Sequence, residues 1–363
     1  MAGLLKNIQF PKDKSREKPF GLDIGDSCIR LAQLSRDAQG IKLENFAFDE
    51  LPLQSDSVNS FTLVTVIREL VKKSGIDSHK VVVNLYGTDP ILKFISLPSM
   101  SDEELKKTIK WEAAKFIVYD LDKMVIDYAV LNEAEEAGKK KLNVAVAAST
   151  KEFVLNEINL LREAGLEAVT IEVDTLAQLY MTKVNDVFKD NELAVLIEFG
   201  ARKTSINVID SGVPCFRREC LSIGSMDINK ALKEDLNVDL LEAEKIKLNF
   251  SLNTYEPADA KEKIIHNAIN KVLNHAVMEI KRSLDYYIDS FPQKTIDRIV
   301  LTGGGACFKN IDSFLSHSLG ITVEVIDPFR KLHFSDNIKE TDSIRTNSPR
   351  FSTVIGLALE ALG

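Results

Sequence analysis

The sequence predicts an α/β protein made of two related domains with a smaller unit inserted in the first. Strand and helix signals alternate from residue 18 to the end, the pattern of sheets covered by helices. The chain has 363 residues, too many for one ordinary core. FGLDIGDSCIRLAQLSRD, beginning at Phe20, returns in outline as VLIEFGARKTSINVIDSG, so that Asp23 meets Glu198, Gly25 meets Gly200, Leu31 meets Ile206 and Leu34 meets Ile209.

Composition narrows the class further. With 45% hydrophobic and 28% charged residues the chain is globular rather than disordered. A net charge of −8 with both signs scattered excludes the basic face of a nucleic-acid binder. No run of about 18 apolar residues is present. The first 17 residues read as a solvated, mildly basic tail without the apolar stretch of a signal peptide. Cys28, Cys215, Cys220 and Cys307 lack CxxC spacing and read as reduced thiols of a cytosolic protein. The five histidines lack zinc-site spacing.

The first domain is expected over 18–86, 167–191 and 348–363. It opens with paired strands KPFGLDIG and IRLAQLS and a third, GIKLENFAFDEL. SFTLVTVIRELVKKSG is an amphipathic helix ended by Gly75, and KVVVNLY is a buried strand. The inserted unit, 87–166, reads strand–helix–strand–strand–helix. Its first helix starts with a capping box, Ser101 with Glu104. Its two later strands are joined by NEAEEAGKKK, and its second helix is capped by Thr150 and stopped by Gly165. AVTIEVD and TLAQLYMTKV return to the first domain, with Asp174 read as the cap of that helix. The second domain, 192–347, repeats the hairpin and follows it with two helices, a loop SLNTYEPADA and a long helix from Lys261 to Phe291. TIDRIVLTGGGACF, IDSFLSHSLG and ITVEVID are strand, helix and strand. Residues 330–347 read as a polar loop before a last helix capped by Ser348 with Pro349 at its first position.

The twin hairpins carry the functional expectation. A glycine turn brings consecutive N–H groups together as an anion-binding nest, and Ser27 and Thr204 are expected to donate hydroxyls to phosphate. Asp23 and Glu198 are the acids expected to hold a hydrated Mg²⁺. Gly303–Gly305 end a strand, where the backbone is able to approach a ring or phosphate closely. Glu244 and Lys247 lie three apart on one helix face, suited to ribose hydroxyls or to an ion pair.

Order and content together resemble the actin-like ATPase superfamily, with actin, sugar kinases and FtsA among its members. LDIGDSCIR, VDTLAQL, IEFGARKTS, LTGGGACF and SPRFSTVIGLALEAL stand in the order of its phosphate 1, connect 1, phosphate 2, adenosine and connect 2 elements. The implied fold is the actin-like pair of ribonuclease H-like domains, with the insertion resembling the 1C subdomain of FtsA-type members. Within the superfamily the chain resembles the PilM family of type IV pilus assembly, on LPSMSDEELKKTIKWEAAKFI, VIDYAVL, LREAGLEAVTIEVDTLAQLY, LLEAEKIK, VMEIKRSLDYY and VEVIDPF. The resemblance implies ATP or ADP with Mg²⁺ as cofactors. Asp23, Gly25, Asp26, Ser27, Cys28 and Arg30 would form the first phosphate loop, and Gly200, Ala201, Arg202, Lys203 and Thr204 the second. Glu244, Lys247, Gly303, Gly304, Gly305 and Phe308 would surround ribose and adenine.

Three departures stand out. Arg30 replaces the family's Lys, with a different fork geometry. Glu198 replaces an Asp and is one methylene longer, so binding with at most slow hydrolysis is expected. The segment after WEAAKFI reads VYDLDKM where the family carries a proline. The implied role is a scaffold at the cytoplasmic face of the inner membrane, as monomer or weak oligomer. It would bind the N-terminal cytoplasmic peptide of PilN and connect it to pilus motor and platform proteins. The alternatives are an FtsA-like division filament and a small-molecule kinase, for which Asp174 is the one loose candidate base.

Overall fold

The computed structural model describes residues 17–53, 58–85, 87, 90–136, 138–220, 223–252, 259–291, 294–339 and 341–363. The tail over 1–16 and most of SLNTYEPADA fall outside these residues.

The chain starts as an antiparallel meander, β1 (Phe20–Ile24), β2 (Cys28–Asp37) and β3 (Gly40–Glu50). Helix α1 (Ser60–Ser74) is capped by Asn59, whose side chain accepts from the Thr62 N–H, and it stops at Gly75 in the left-handed region. It returns the chain to β4 (Lys80–Asn84), parallel to β1. The insertion follows as β5 (Ile91–Pro98), α2 (Asp102–Ala113), β6 (Met124–Glu136) and β7 (Lys139–Thr150), a sheet in the order β5-β7-β6. The capping box at Ser101 and Glu104 is present. The acidic-then-basic segment is not a long turn. Here β6 and β7 continue as a hairpin that sets Glu135 opposite Lys140, and opposite charges across a ladder favour pairing.

Next come α3 (Lys151–Glu163), β8 (Glu167–Glu172) and α4 (Asp174–Val184). The sequence placed α3 in the inserted unit, but Val154 and Leu161 join the core formed by α1 and the first sheet. Its apolar face had two surfaces available, and α2 already covers the outer face of the inserted sheet. Asp174 does not cap α4: the cap position is Val173, without a side-chain bond, and Asp174 begins the first turn.

The second half repeats the scheme with β9 (Leu193–Phe199), β10 (Thr204–Asp210), β11 (Val213–Cys220), α5 (Ser225–Leu236), α6 (Leu240–Asn249), α7 (Ala260–Ser290), β12 (Arg298–Thr302), α8 (Ile311–Leu319) and β13 (Val323–Val325). Its sheet order, β11-β10-β9-β12-β13, matches β3-β2-β1-β4-β8 of the first. Residues 330–347 are not simply a loop. They hold β14 (Leu332–Phe334), parallel to β3, and α9 (Thr341–Thr346), so the chain is back on the first sheet before its last helix. Polar residues hid this crossing, since only Leu332 of that strand is fully buried. The final helix, α10 (Ser352–Leu362), begins later than expected: Ser348 and Pro349 form a separate 3-10 turn, and no side chain caps either.

Three cores result. One lies under the second sheet against α5, α7 and α8, and one under the first sheet against α1 and α3. The third joins both halves: Phe351, Val354 and Ile355 meet Ala32 and Leu34 of the first sheet and Leu196 and Val300 of the second.

Within the α3 packing, Glu157 is buried and its Oε1 has no partner. Burial pushes its carboxyl up to about 7. The folded state therefore holds the proton more tightly than the unfolded state, and stability declines as pH rises from the ordinary carboxylate range through about 7. The Glu157→Gln variant is expected to be more stable by about 1–3 kcal/mol at pH 8, with the gain shrinking toward pH 5. Urea denaturation at both pH values is the check, and a gain independent of pH would contradict it.

Candidate functional site

The two hairpins of the duplicated stretch face one cavity. In the first, the Gly25 N–H donates to the Cys28 carbonyl at 3.1 Å, and in the second the Gly200 N–H donates to the Lys203 carbonyl at 3.0 Å. Strand registers match as well, with Asp23 opposite Arg30 and Glu198 opposite Ser205. Glycine is needed at the second turn, because a Cβ on Gly200 would stand 2.8 Å from the Lys203 carbonyl oxygen. The first hairpin is held from behind by buried Asn84 at the end of β4. Its Oδ1 accepts from the Ile24 N–H at 2.7 Å and its Nδ2 donates to the Ile24 carbonyl at 3.0 Å.

The sites diverge beyond the turns. In the first hairpin the Arg30 guanidinium donates to Asp23 at 2.8 Å, both buried. In the second, Arg is replaced by Ser205, whose hydroxyl meets Glu198 at 3.4 Å. Asp174 of α4 lies near both acids. Burial pushes Asp23 up to about 6, with Asp174 adding to the rise and Arg30 opposing it. Burial and then Asp174 push Glu198 up to about 7, against the pull of Lys203. Lys203 spans the cleft, 3.1 Å from Glu219 and 4.0 Å from Asp174. Burial disfavours its ammonium, but Asp174, Glu219 and Glu198 more than offset this and raise its pKa. At the mouth, Arg202 of the second turn lies 3.4 Å from Asp26 of the first.

Among the residues expected from sequence, Asp23, Gly25, Asp26, Ser27 and Arg30 line the cavity from the first hairpin. Glu198, Gly200, Ala201 and Lys203 line it from the second, and Gly303 and Gly304 from the end of β12. Others do not. The Cys28 side chain is buried in β2, with its thiol on the Ile29 carbonyl and pushed up to about 11 by burial. The Thr204 hydroxyl donates to the Ile223 carbonyl at 2.7 Å and not into the cavity. Gly305 packs beneath the Phe199 ring, and Phe308 joins the second core. Glu244 and Lys247 do pair, at 2.7 Å, but Glu244 also accepts from Asn229, and neither lines the cavity. The strand-end residue Asn84, the helix residues Asp174 and Gln178, and Arg350, Ser352 and Thr353 near the start of α10 do line it. Sequence reading missed most of these because their placement depends on where α4 and α10 cross. The one available signal was that VDTLAQL and SPRFSTVIG stand as the two connecting elements.

The arrangement offers an anion two glycine turns, a guanidinium and an ammonium. Arg30 Nε is buried without a partner, an unused donor beside the cavity. It offers a cation three mutually repelling carboxylates, with Asp174 Oδ1 also lacking a partner. Among the described residues no three His, Cys, Asp or Glu side chains converge closely enough to ligate a metal. The set therefore fits a hydrated divalent ion held through water better than a directly ligated one.

Two sheets of one strand order, their hairpins opposed across a shared cleft, define the two-domain fold of the actin-like ATPases. A family model described as type IV pilus assembly protein PilM matches residues 21–362. The chain belongs to that family. It is similar to a solved structure of a PilM–PilN type IV pilus biogenesis complex at 26% identity and a TM-score of 0.82, over 96% of this chain and 100% of that one. The ethanolamine utilization protein EutJ from Carboxydothermus hydrogenoformans shares the fold at 16% identity and a TM-score of 0.54, over 98% of this chain and 93% of that one. No helix among the described residues is long and apolar enough to cross a membrane.

Proposed function

We propose that this family member is a nucleotide-binding scaffold of the type IV pilus platform, taking ATP or ADP in the cleft and the N-terminal cytoplasmic peptide of PilN on its surface. The observation that carries the nucleotide reading is the matched pair of glycine turns around one cavity with Arg30 and Lys203 in its wall. Arg30 and the turn backbones hold phosphate, and Lys203 neutralises charge between the two halves. Magnesium, when bound, adds charge neutralisation at the phosphates, and Asp23 and Glu198 would hold it through water. The similarity to a PilM–PilN complex along 96% of the chain supports the peptide reading. So do three large apolar side chains exposed on the inserted unit, Trp111, Val118 and Tyr119. The scaffold sits at the cytoplasmic face of the inner membrane through its partner and connects it to the pilus motor.

Turnover is slow in this reading. Glu198 stands where the superfamily it resembles carries the shorter Asp, and the extra methylene takes its carboxylate off the position that would orient an attacking water. Calorimetry with ATP and ADP, with and without Mg²⁺, and anisotropy with a labelled PilN N-terminal peptide test the proposal. Binding of nucleotide with little ADP release, and of the peptide, is expected. Absence of peptide binding with and without nucleotide overturns the scaffold, and absence of nucleotide binding overturns the clamp.

A further inference from the structure

The Lys203 ammonium has a third neighbour besides Asp174 and Glu219. It donates to the carbonyl of Gly87 at 3.4 Å. Gly87 lies where the chain leaves β4 for the inserted sheet, and it lines the cavity. Its φ is +116°, and a Cβ there would stand 2.9 Å from the ring of Phe153, so both backbone and space require glycine. Phe153 lies in the first turn of α3, where the chain comes back from the inserted sheet, and its N–H donates to Thr150, the last residue of β7. The outgoing and returning strands of the insertion thus meet at the Gly87–Phe153 contact, and one side chain of the second hairpin reaches that contact through the cavity.

We propose that Lys203 is a positioning residue that reports occupancy of the cavity to the neck of the inserted sheet. The proposal rests on the nucleotide reading for the identity of the occupant. A polyphosphate offers the ammonium fully charged oxygens, which attract it more strongly than the dipole of a neutral carbonyl. Of the three existing contacts, only the bond to Gly87 is to a neutral group, and it is the one given up. Asp174 and Glu219 keep Lys203 within the cleft, and Arg217, bonded to Glu219 at 2.9 Å and to the Thr175 hydroxyl at 3.2 Å, keeps Glu219 in place. The neck then loses its bond to Lys203, and the junction of the inserted sheet with the first half loosens while β5 keeps its packing against β11.

Hydrogen exchange of the full chain tests this, with ATP and with ADP as probes and with the Lys203→Met and Lys203→Gln variants. In the unsubstituted protein, ATP is expected to slow exchange at 23–30 and 198–204 and to speed it about threefold at 90–98. Both variants without nucleotide are expected to show the faster neck already, with no further change on adding ATP. A neck unchanged in both variants overturns the proposal, as does a rise spread over all three sheets, which marks a general loss of packing. Failure of ATP to protect the cavity peptides overturns the nucleotide reading instead, while the comparison of variants without nucleotide still decides whether Lys203 restrains the neck.

Discussion

Replacing Arg30 with Met is expected to cost the protein about 3–5 kcal/mol of stability at pH 8, the usual loss when one partner of a buried ion pair is removed. Asp23 is 4% exposed and Arg30 8%, so water does not substitute for the missing guanidinium. The carboxyl of Asp23 is already raised to about 6 with Arg30 present, and it rises further without it. A raised carboxyl stabilises the folded state only while protonated. The deficit therefore shrinks as pH falls toward the ordinary aspartate range and is largest above pH 7. Adding Asp23→Asn to Arg30→Met is expected to recover most of the stability and none of the nucleotide binding. Urea denaturation at pH 5 and 8 with calorimetry against ADP separates these effects. A stability loss equal at both pH values would show that Arg30 acts through packing alone.

The second large effect is expected at Gly356, which does not line the cavity. Gly356 lies in α10 where it crosses α4, and a Cβ there would overlap the carbonyl oxygen of Ala177. Alanine gains about 1 kcal/mol over glycine inside a helix. The overlap is with backbone, which has no rotamer to yield, so the two helices must separate. Overpacking costs about 1–3 kcal/mol and sometimes more, and the Gly356→Ala variant is expected at the upper end, about 3 kcal/mol less stable. The consequence reaches the cleft. The turn preceding α10 supplies the Pro349 carbonyl, which accepts from the Gly303 N–H at 3.1 Å and from the Thr302 hydroxyl at 3.1 Å. Displacing α10 displaces the attachment of β12 to the first half, and nucleotide affinity should fall with stability. The matched control is Gly304→Ala, since a Cβ at Gly304 has no neighbour within 4 Å, and its melting temperature should stay unchanged. Equal melting temperatures for both variants would refute the argument.

Much of the paired hairpins was legible because they are local. An acid, a glycine two residues on and an alternating strand make a hairpin wherever they occur, and the second copy makes it a pair. The equal turns at Gly25 and Gly200 and the equal registers at Asp23 and Glu198 follow from that local code. The structure adds partners that local reading did not single out, where the same residue had two physically sensible uses. Thr204 had phosphate or the Ile223 carbonyl available and took the carbonyl. Glu244 and Lys247 had ribose or each other and took each other. Helix α3 had two sheets to cover and took the first. Polarity concealed β14, whose pairing with β3 joins residues almost 300 apart in sequence and needs only three.

The sequence by itself determined the α/β class, the duplication, the two glycine turns and the family, because strand periodicity, turn chemistry and motif order are properties of neighbouring residues. Only the tertiary structure decided which side chains the cleft uses. Asn84, Asp174, Gln178 and Arg350 reach it from separate elements. Lys203 reaches the insertion because the Gly87 carbonyl, packed against Phe153, stands within its reach. Those distances are set by how α4, α10 and the two sheets pack, and packing is a property of the whole chain rather than of any stretch within it.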